Sequence, residues 1–156
     1  PLDENICVVH VRGGDYRHAG ITLLPKQYYQ DAIRYMKERN PYMLFFAITD
    51  DVELTRYMLD DIPIVGSCTM KERDPYSAPH HTNGRTDIDF KILNSAKNLI
   101  IANSSFSFWG AYTNKNNGFV IAPKFWSAYN YQEEFWSTGQ MQVPEWNYLD
   151  KKGNII

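Results

Sequence analysis

Short apolar runs rich in β-branched and aromatic residues alternate along this chain with segments of helical period, and that alternation restricts the fold more than any other feature. Such a pattern builds βα units around a mostly parallel sheet. Ile6 to Val11 reads as a first strand. Pro25 to Arg39 reads as a helix, with proline near its first turn, a stripe of Tyr29, Ala32, Ile33 and Met36, and Asn40-Pro41 to end it. Leu44 to Ile48 is a second strand, Thr49-Asp50-Asp51 a turn with a helix cap, and Val52 to Leu59 the helix that follows. Ile64-Val65 gives a short third strand, Asp87 to Ala96 a helix, and Leu99 to Ala102 a strand leading into a helix at Ser104 or Ser105. Phe119 to Ala122 is the last expected strand.

Two stretches carry no clear period. The polar segment from Gly66 to Thr86 reads as a long loop near a binding site. Residues 124–156 keep many aromatics, among them Phe125, Trp126, Tyr129, Tyr131, Phe135, Trp136, Trp146 and Tyr148, and are expected as a tail packed back over the domain. The expectation is therefore one α/β domain over residues 1–156, a Rossmann-like open sheet with helices on both faces.

Composition limits the partners. With 156 residues and 44% hydrophobic content, the chain can bury one core. Its 18 acidic and 16 basic residues are interspersed and leave a formal charge of -2, so no polyanion-binding surface and no nucleic-acid partner is expected. The two cysteines lie far apart and Cys7 sits in an apolar run, which argues against a disulfide framework. No run approaches the roughly eighteen apolar residues of a membrane span. Lacking a Met start and opening almost directly into a strand, the chain reads as a piece of something longer.

Three constellations carry chemistry. In His10-Val11-Arg12-Gly13-Gly14-Asp15-Tyr16, strand alternation puts His10 and Arg12 on one side, beyond the carboxyl end of the first strand where α/β ligands sit. The Arg12 fork suits phosphate oxygens and the glycines permit close approach, while a structural Arg12–Asp15 ion pair is the equal alternative. In Asn103-Ser104-Ser105-Phe106-Ser107-Phe108-Trp109-Gly110, a Ser-rich helix start offers amides and hydroxyls to a diphosphate, against ordinary capping by Asn103 or Ser104. Asp87-Ile88-Asp89 has the D-x-D form of a cation site, yet it also opens a helix, where acidic residues are favoured anyway. A carboxylate there can equally accept the paired N–H donors of a guanine edge. No phosphate-loop, dinucleotide-fingerprint or CxxC motif is present, and His80-His81 reads as solvated surface rather than as a metal site.

Together these segments resemble the α-1,2-fucosyltransferase family, glycosyltransferase family 11, and its α-1,6- and protein O-fucosyltransferase relatives across almost the whole chain. The resemblance rests on His10 to Tyr16 against the family's H-x-R-R-G-D-Y, on Thr49-Asp50-Asp51, and on Asp89 to Leu93 leading to Ile101 through Tyr112. It implies one half of a two-domain GT-B enzyme, the half that holds GDP-fucose, with the N-terminal acceptor domain absent. It also implies inverting, metal-independent transfer of fucose to a galactoside-type glycan hydroxyl, with GDP-fucose as donor substrate and no cofactor or metal. His10 and Asp89 would contact guanine, Arg12 the diphosphate, and Ser104, Ser105 and Phe106 the phosphates and the base-side wall, with Gly14 and Asn103 completing the donor site. Arg12 and Asp15 are the catalytic candidates; Asp15 and His18 are the nearby candidates for the general base, the alternatives being that Asp15 buttresses Arg12 and that the base lies in the other half. The rival is a non-catalytic nucleotide-sugar or glycan-binding domain, favoured by Gly13 where the family has a second arginine. The expected setting is the cytoplasm or the inner-membrane periphery of a bacterium, or the Golgi lumen in a eukaryote, and the isolated domain is expected to be inactive.

Overall fold

The computed structural model describes residues 2–20, 22–67, 86–116, 118–127 and 142–156. Six strands, β1 (Ile6–Val11), β2 (Leu44–Thr49), β3 (Ile64–Ser67), β4 (Asn98–Ile100), β5 (Phe119–Pro123) and β6 (Asn147–Leu149), form one sheet in the order β3-β2-β1-β4-β5-β6. Every ladder in it is parallel, and one isolated antiparallel bridge joins Leu149 to Ile155. Four α-helices lie among the described residues: α1 (Lys26–Arg39), α2 (Val52–Leu59), α3 (Thr86–Ser95) and α4 (Ser105–Tyr112).

The alternation of β1 sorts its side chains between two cores. Cys7, Val9 and Val11 pack with Tyr28, Tyr29, Ala32 and Met36 of α1 and with Leu54, Met58 and Leu59 of α2. Val8 faces the other way, toward Leu93 of α3 and Ala111 of α4. A strand apolar on both faces has to be covered on both, which makes the sheet doubly wound and places β1 at its centre. Strand order reverses between β1 and β4, and a switch of this kind opens a crevice at the carboxyl ends of the two strands.

Local chemistry sets the element ends. Asp51 caps α2, its carboxylate accepting the Leu54 N–H at 3.0 Å, as the turn residues predict. Pro25 stands one residue before α1 rather than inside it, and Asn40 closes that helix. The phenol of Tyr28, fully buried, donates to the Ile101 carbonyl at 2.7 Å and ties α1 to the end of β4.

The tail differs from expectation in one respect. Residues 147–149 are not merely packed over the domain but add a sixth strand, with Ile121, Ala122 and Pro123 paired to Asn147, Tyr148 and Leu149. Three residues are too few to show a period of two, so the strand is invisible to pattern reading. The strand expected at Leu99–Ala102 starts and ends earlier, at Asn98–Ile100, and β2 and β3 run one and two residues further than expected. Residues 68–85 of the expected loop, with His80-His81, and Tyr129, Tyr131, Phe135 and Trp136 of the tail lie outside the described residues. Among the described residues, no helix is long and apolar enough to cross a membrane.

Candidate functional site

β1 and β4 deliver the two motif segments to the two sides of the switch point. After β1 the chain enters a short 3-10 turn, Gly14–Arg17, and after β4 it runs through Asn103 and Ser104 into α4. Tyr16 spans the two, its hydroxyl donating to the Asn103 carbonyl at 3.2 Å.

Arg12 leaves the end of β1 between two carboxylates. Its Nη2 donates to Asp15 Oδ1 at 2.7 Å, and its Nη1 lies 2.5 Å from Asp50 Oδ2, a close ion pair without the alignment of a good hydrogen bond. The guanidinium also lies 5.2 Å from the centroid of the Tyr16 ring. Burial raises the pKa of the nearby Tyr29 phenol, a rise that the Arg12 backbone amide opposes. The Arg12–Asp15 pair considered from the sequence is thus formed, but it accounts for only one of the two carboxylates on the guanidinium. Asp50 was not anticipated as a site residue. In the parallel register Val11 pairs with Thr49, so the next residues, Arg12 and Asp50, emerge side by side. Only the register reveals this, and nothing local in the sequence encodes it.

The glycines of the turn follow from the same crowding. A Cβ on Gly13 would clash with Asp51 Cβ and lie 2.8 Å from Leu54 Cδ2, while the Gly13 N–H donates to Asp50 Oδ1 at 2.7 Å. Gly14 adopts φ +36, where a side chain is disfavoured, and its Cβ would meet Asp50 Oδ2 at 2.6 Å. The arginine that the resemblance leads one to expect at position 13 does not fit this loop as folded. A second guanidinium nevertheless reaches Asp51, because Arg17 donates to it through Nε and, at 2.7 Å, through Nη2. Overpacking at such a position costs about 1–3 kcal/mol, so Gly13→Ala should lower unfolding stability by that amount in urea titration. A variant as stable as the parent would mean that the loop packs differently.

His10 is buried, 3% exposed, on the α3/α4 face of β1, with its ring 5.6 Å from that of Phe106. Burial, and then the charge of Arg12, lowers its pKa from 6.5 to about 3, so it is neutral in the physiological range. Its Nδ1 has no hydrogen-bond partner among the described residues. Phe106 also meets Phe90 of α3 at 5.8 Å, which brings α3 to the same wall. The residue before Phe90 is Asp89, 4% exposed, with no hydrogen-bond partner for Oδ2 among the described residues and its pKa raised by burial and by the Asp87 charge. Asp87 itself is exposed, so the two carboxylates of the D-x-D sequence occupy different environments. No group of three or more His, Cys, Asp or Glu able to hold a metal occurs among the described residues.

On the other side of the switch point, Asn103 donates through Nδ2 to the carbonyls of Thr22, at 2.7 Å, and of Trp126. Its Nδ2 thus ties two loops together, while its Oδ1, the atom that could cap a helix, is buried with no hydrogen-bond partner among the described residues. Ser104 occupies the cap position of α4 but makes no side-chain cap bond, and Ser105 is exposed at the first turn. The first amides of α4 thus lack the capping partner that the sequence led one to expect. The structure brings together His10, Arg12, Gly14, Asp15, Asn103, Ser104, Ser105 and Phe106 around one switch point, with Asp89 joined through Phe90. His18 is exposed at the end of the 3-10 turn. A cavity of about 840 Å³ between α1, α2 and the start of β2 lies at the opposite, amino end of the sheet and includes none of these groups.

The chain matches glycosyl transferase family 11 over residues 2–150. It belongs to that family. Two Escherichia coli proteins are similar to it: an alpha-1,2-colitosyltransferase, 35% identical over 128 residues, and the O-antigen biosynthesis glycosyltransferase WbnK, 33% identical over 134 residues. These alignments cover 78% and 82% of this chain and 41% of each relative. The chain therefore spans about two fifths of the length of the curated relatives it matches. No solved structure matches it.

Proposed function

We propose that this chain is the donor-binding domain of a transferase that moves fucose from GDP-fucose to a glycan hydroxyl, without a metal ion and with inversion. The observation that carries the reading is the set of buried polar atoms without a hydrogen-bond partner among the described residues, His10 Nδ1, Asp89 Oδ2 and Asn103 Oδ1, on segments that meet near the start of α4. Buried polar atoms are ordinarily paired, so a cluster of orphans at a switch point suits a ligand with matching donors and acceptors. Guanine is such a ligand, its paired N–H donors suiting a carboxylate such as Asp89, and its diphosphate would lie toward Arg12 and the α4 amides.

In this mechanism the acceptor oxygen forms a bond to the anomeric carbon as the bond from that carbon to the β-phosphate oxygen breaks. GDP departs with the electron pair. Arg12 and the α4 amides stabilise the charge growing on it, and the acceptor proton passes to a base that no residue here is assigned to. The remaining length of the family's curated relatives has room for that base and for the acceptor site, so the proposal assigns no turnover to this chain by itself. A second reading, a donor carrying colitose, is favoured by the name of the 35% identical relative.

Calorimetry with GDP, UDP and ADP, and then with their sugar conjugates, tests the proposal. GDP should bind at least tenfold tighter than UDP or ADP, because another base leaves buried polar groups unpaired at about 1–3 kcal/mol each. Equal affinities would reject the guanine assignment. Affinity should persist in EDTA, and a strict requirement for magnesium or manganese would return Asp87 and Asp89 to the role of cation ligands.

A further inference from the structure

Arg12 is held by two carboxylates whose surroundings differ sharply. The Asp50 side chain is 9% exposed and is anchored from a second direction, since its other oxygen accepts the Gly13 N–H at 2.7 Å. The Asp15 side chain is 48% exposed, lies three residues from Arg12 on the same short turn, and has Arg12 as its only side-chain partner among the described residues. One carboxylate is fixed by the fold, and the other can leave by rotating a single side chain into water.

The two also engage different ends of the guanidinium. Asp50 lies against Nη1 and Asp15 against Nη2, and Arg12 keeps 27% of its side chain exposed. A phosphate that takes a guanidinium through two parallel N–H bonds needs a free edge of the fork, and here the accessible edge is the one Asp15 occupies. Asp15 and an arriving phosphate carry the same charge and want the same donors.

We infer that the two carboxylates act in opposite senses: Asp50 is a positioning residue that aims Arg12 into the crevice, and Asp15 is an exchangeable counter-ion that donor phosphate displaces. The inference rests on the reading that Arg12 grips the donor diphosphate. In it the ion pair with Asp15 opposes binding, because it must be broken first and because the carboxylate then remains as a like charge beside the phosphate. Loss of Asp50, by contrast, leaves the guanidinium free to wander and removes the acceptor that orders the Gly13 amide.

The test is calorimetric titration of the chain and of Asp15→Asn, Asp50→Asn and Arg12→Ala with GDP, and with guanosine as a probe lacking phosphate. Asp15→Asn should tighten GDP about two- to five-fold, the scale of an exposed ion pair. Asp50→Asn should weaken it about ten-fold or more, the scale of a hydrogen bond to a charged group. Guanosine should bind both variants as it binds the parent, which a general loosening of the domain would not allow. Weaker or unchanged GDP binding by Asp15→Asn overturns the exchange. Should Asp50→Asn fail to fold, Asp15→Ala joins Asp15→Asn as the deciding pair, since both alter an exposed residue. If Arg12→Ala binds GDP as the parent does, the donor-site reading itself fails. If Arg12→Ala weakens binding while Asp15→Asn does not tighten it, only the exchange fails.

Discussion

Replacing Arg12 by alanine should cost about 1.5–3 kcal/mol of GDP binding, a rise in dissociation constant of roughly ten- to one-hundred-fold. The expectation follows from where the guanidinium stands. It leaves the carboxyl end of β1 at the strand switch, part exposed, and is held on its inner side by Asp50. Guanosine should be nearly indifferent to the change, since it brings no phosphate. Stability should fall as well, because Asp50 would keep a buried carboxylate without its cation; its pKa, already raised by burial, would lose the lowering influence of Arg12. Measuring the melting temperature and the GDP affinity on the same preparation separates the two effects. A folded variant with lower melting temperature and parental GDP affinity would make Arg12 a structural residue and remove the main support for the proposed site.

The second large effect is on stability against pH, and it originates in His10. With its pKa lowered from 6.5 to about 3, the folded chain stays unprotonated at this ring where the unfolded chain takes up a proton. Over that window the unfolded state binds more protons, so stability falls as pH falls, beginning near 6.5 and continuing down to about 3. At about 1.36 kcal/mol per pH unit, the loss from this one group between pH 6.5 and 4 is on the order of 3 kcal/mol. Asp89 and Asp50 act in the opposite direction, because their raised pKa values make the folded state the better proton acceptor above the ordinary carboxylate range. A comparison of the parent with His10→Asn isolates the histidine, since the carboxylates are common to both. Urea denaturation at several pH values should give the parent the steeper acid loss, and parallel curves would show that His10 is solvated or already paired.

Both predictions concern groups that stand at a switch point with part of their bonding capacity unused. His10 costs stability in acid because it is buried with no partner for Nδ1 among the described residues, and Arg12 is accessible although two carboxylates surround it. Features that cost folding free energy and cluster where two strand ends diverge are the usual mark of a binding site.

Much of this was legible in the sequence. The apolar run of Ile6 to Val11, the stripe on Tyr29, Ala32 and Met36, and the Asp51 cap are each encoded within a few residues, and each appears where local pattern put it. So does the placement of the two motifs, because the end of a strand is visible where an apolar run meets Gly13-Gly14 or Asn103-Ser104. What the sequence did not determine depends on segments far apart along the chain. Asp50 meets Arg12 because β1 and β2 pair in a parallel register that sets Val11 beside Thr49, and no window of the sequence contains both residues in their relation. Gly13 has no room for a side chain because Asp51 and Leu54 of the next unit press on it, and Ser104, not Asn103, takes the α4 cap position while the Asn103 amide donates to Thr22 and Trp126. β6 exists because the edge of β5 was free to accept three residues whose own pattern is too short to declare a strand. Local periodicity and capping are short-range properties and can be read from composition and order, whereas register and close approach are set only when distant segments are brought into contact.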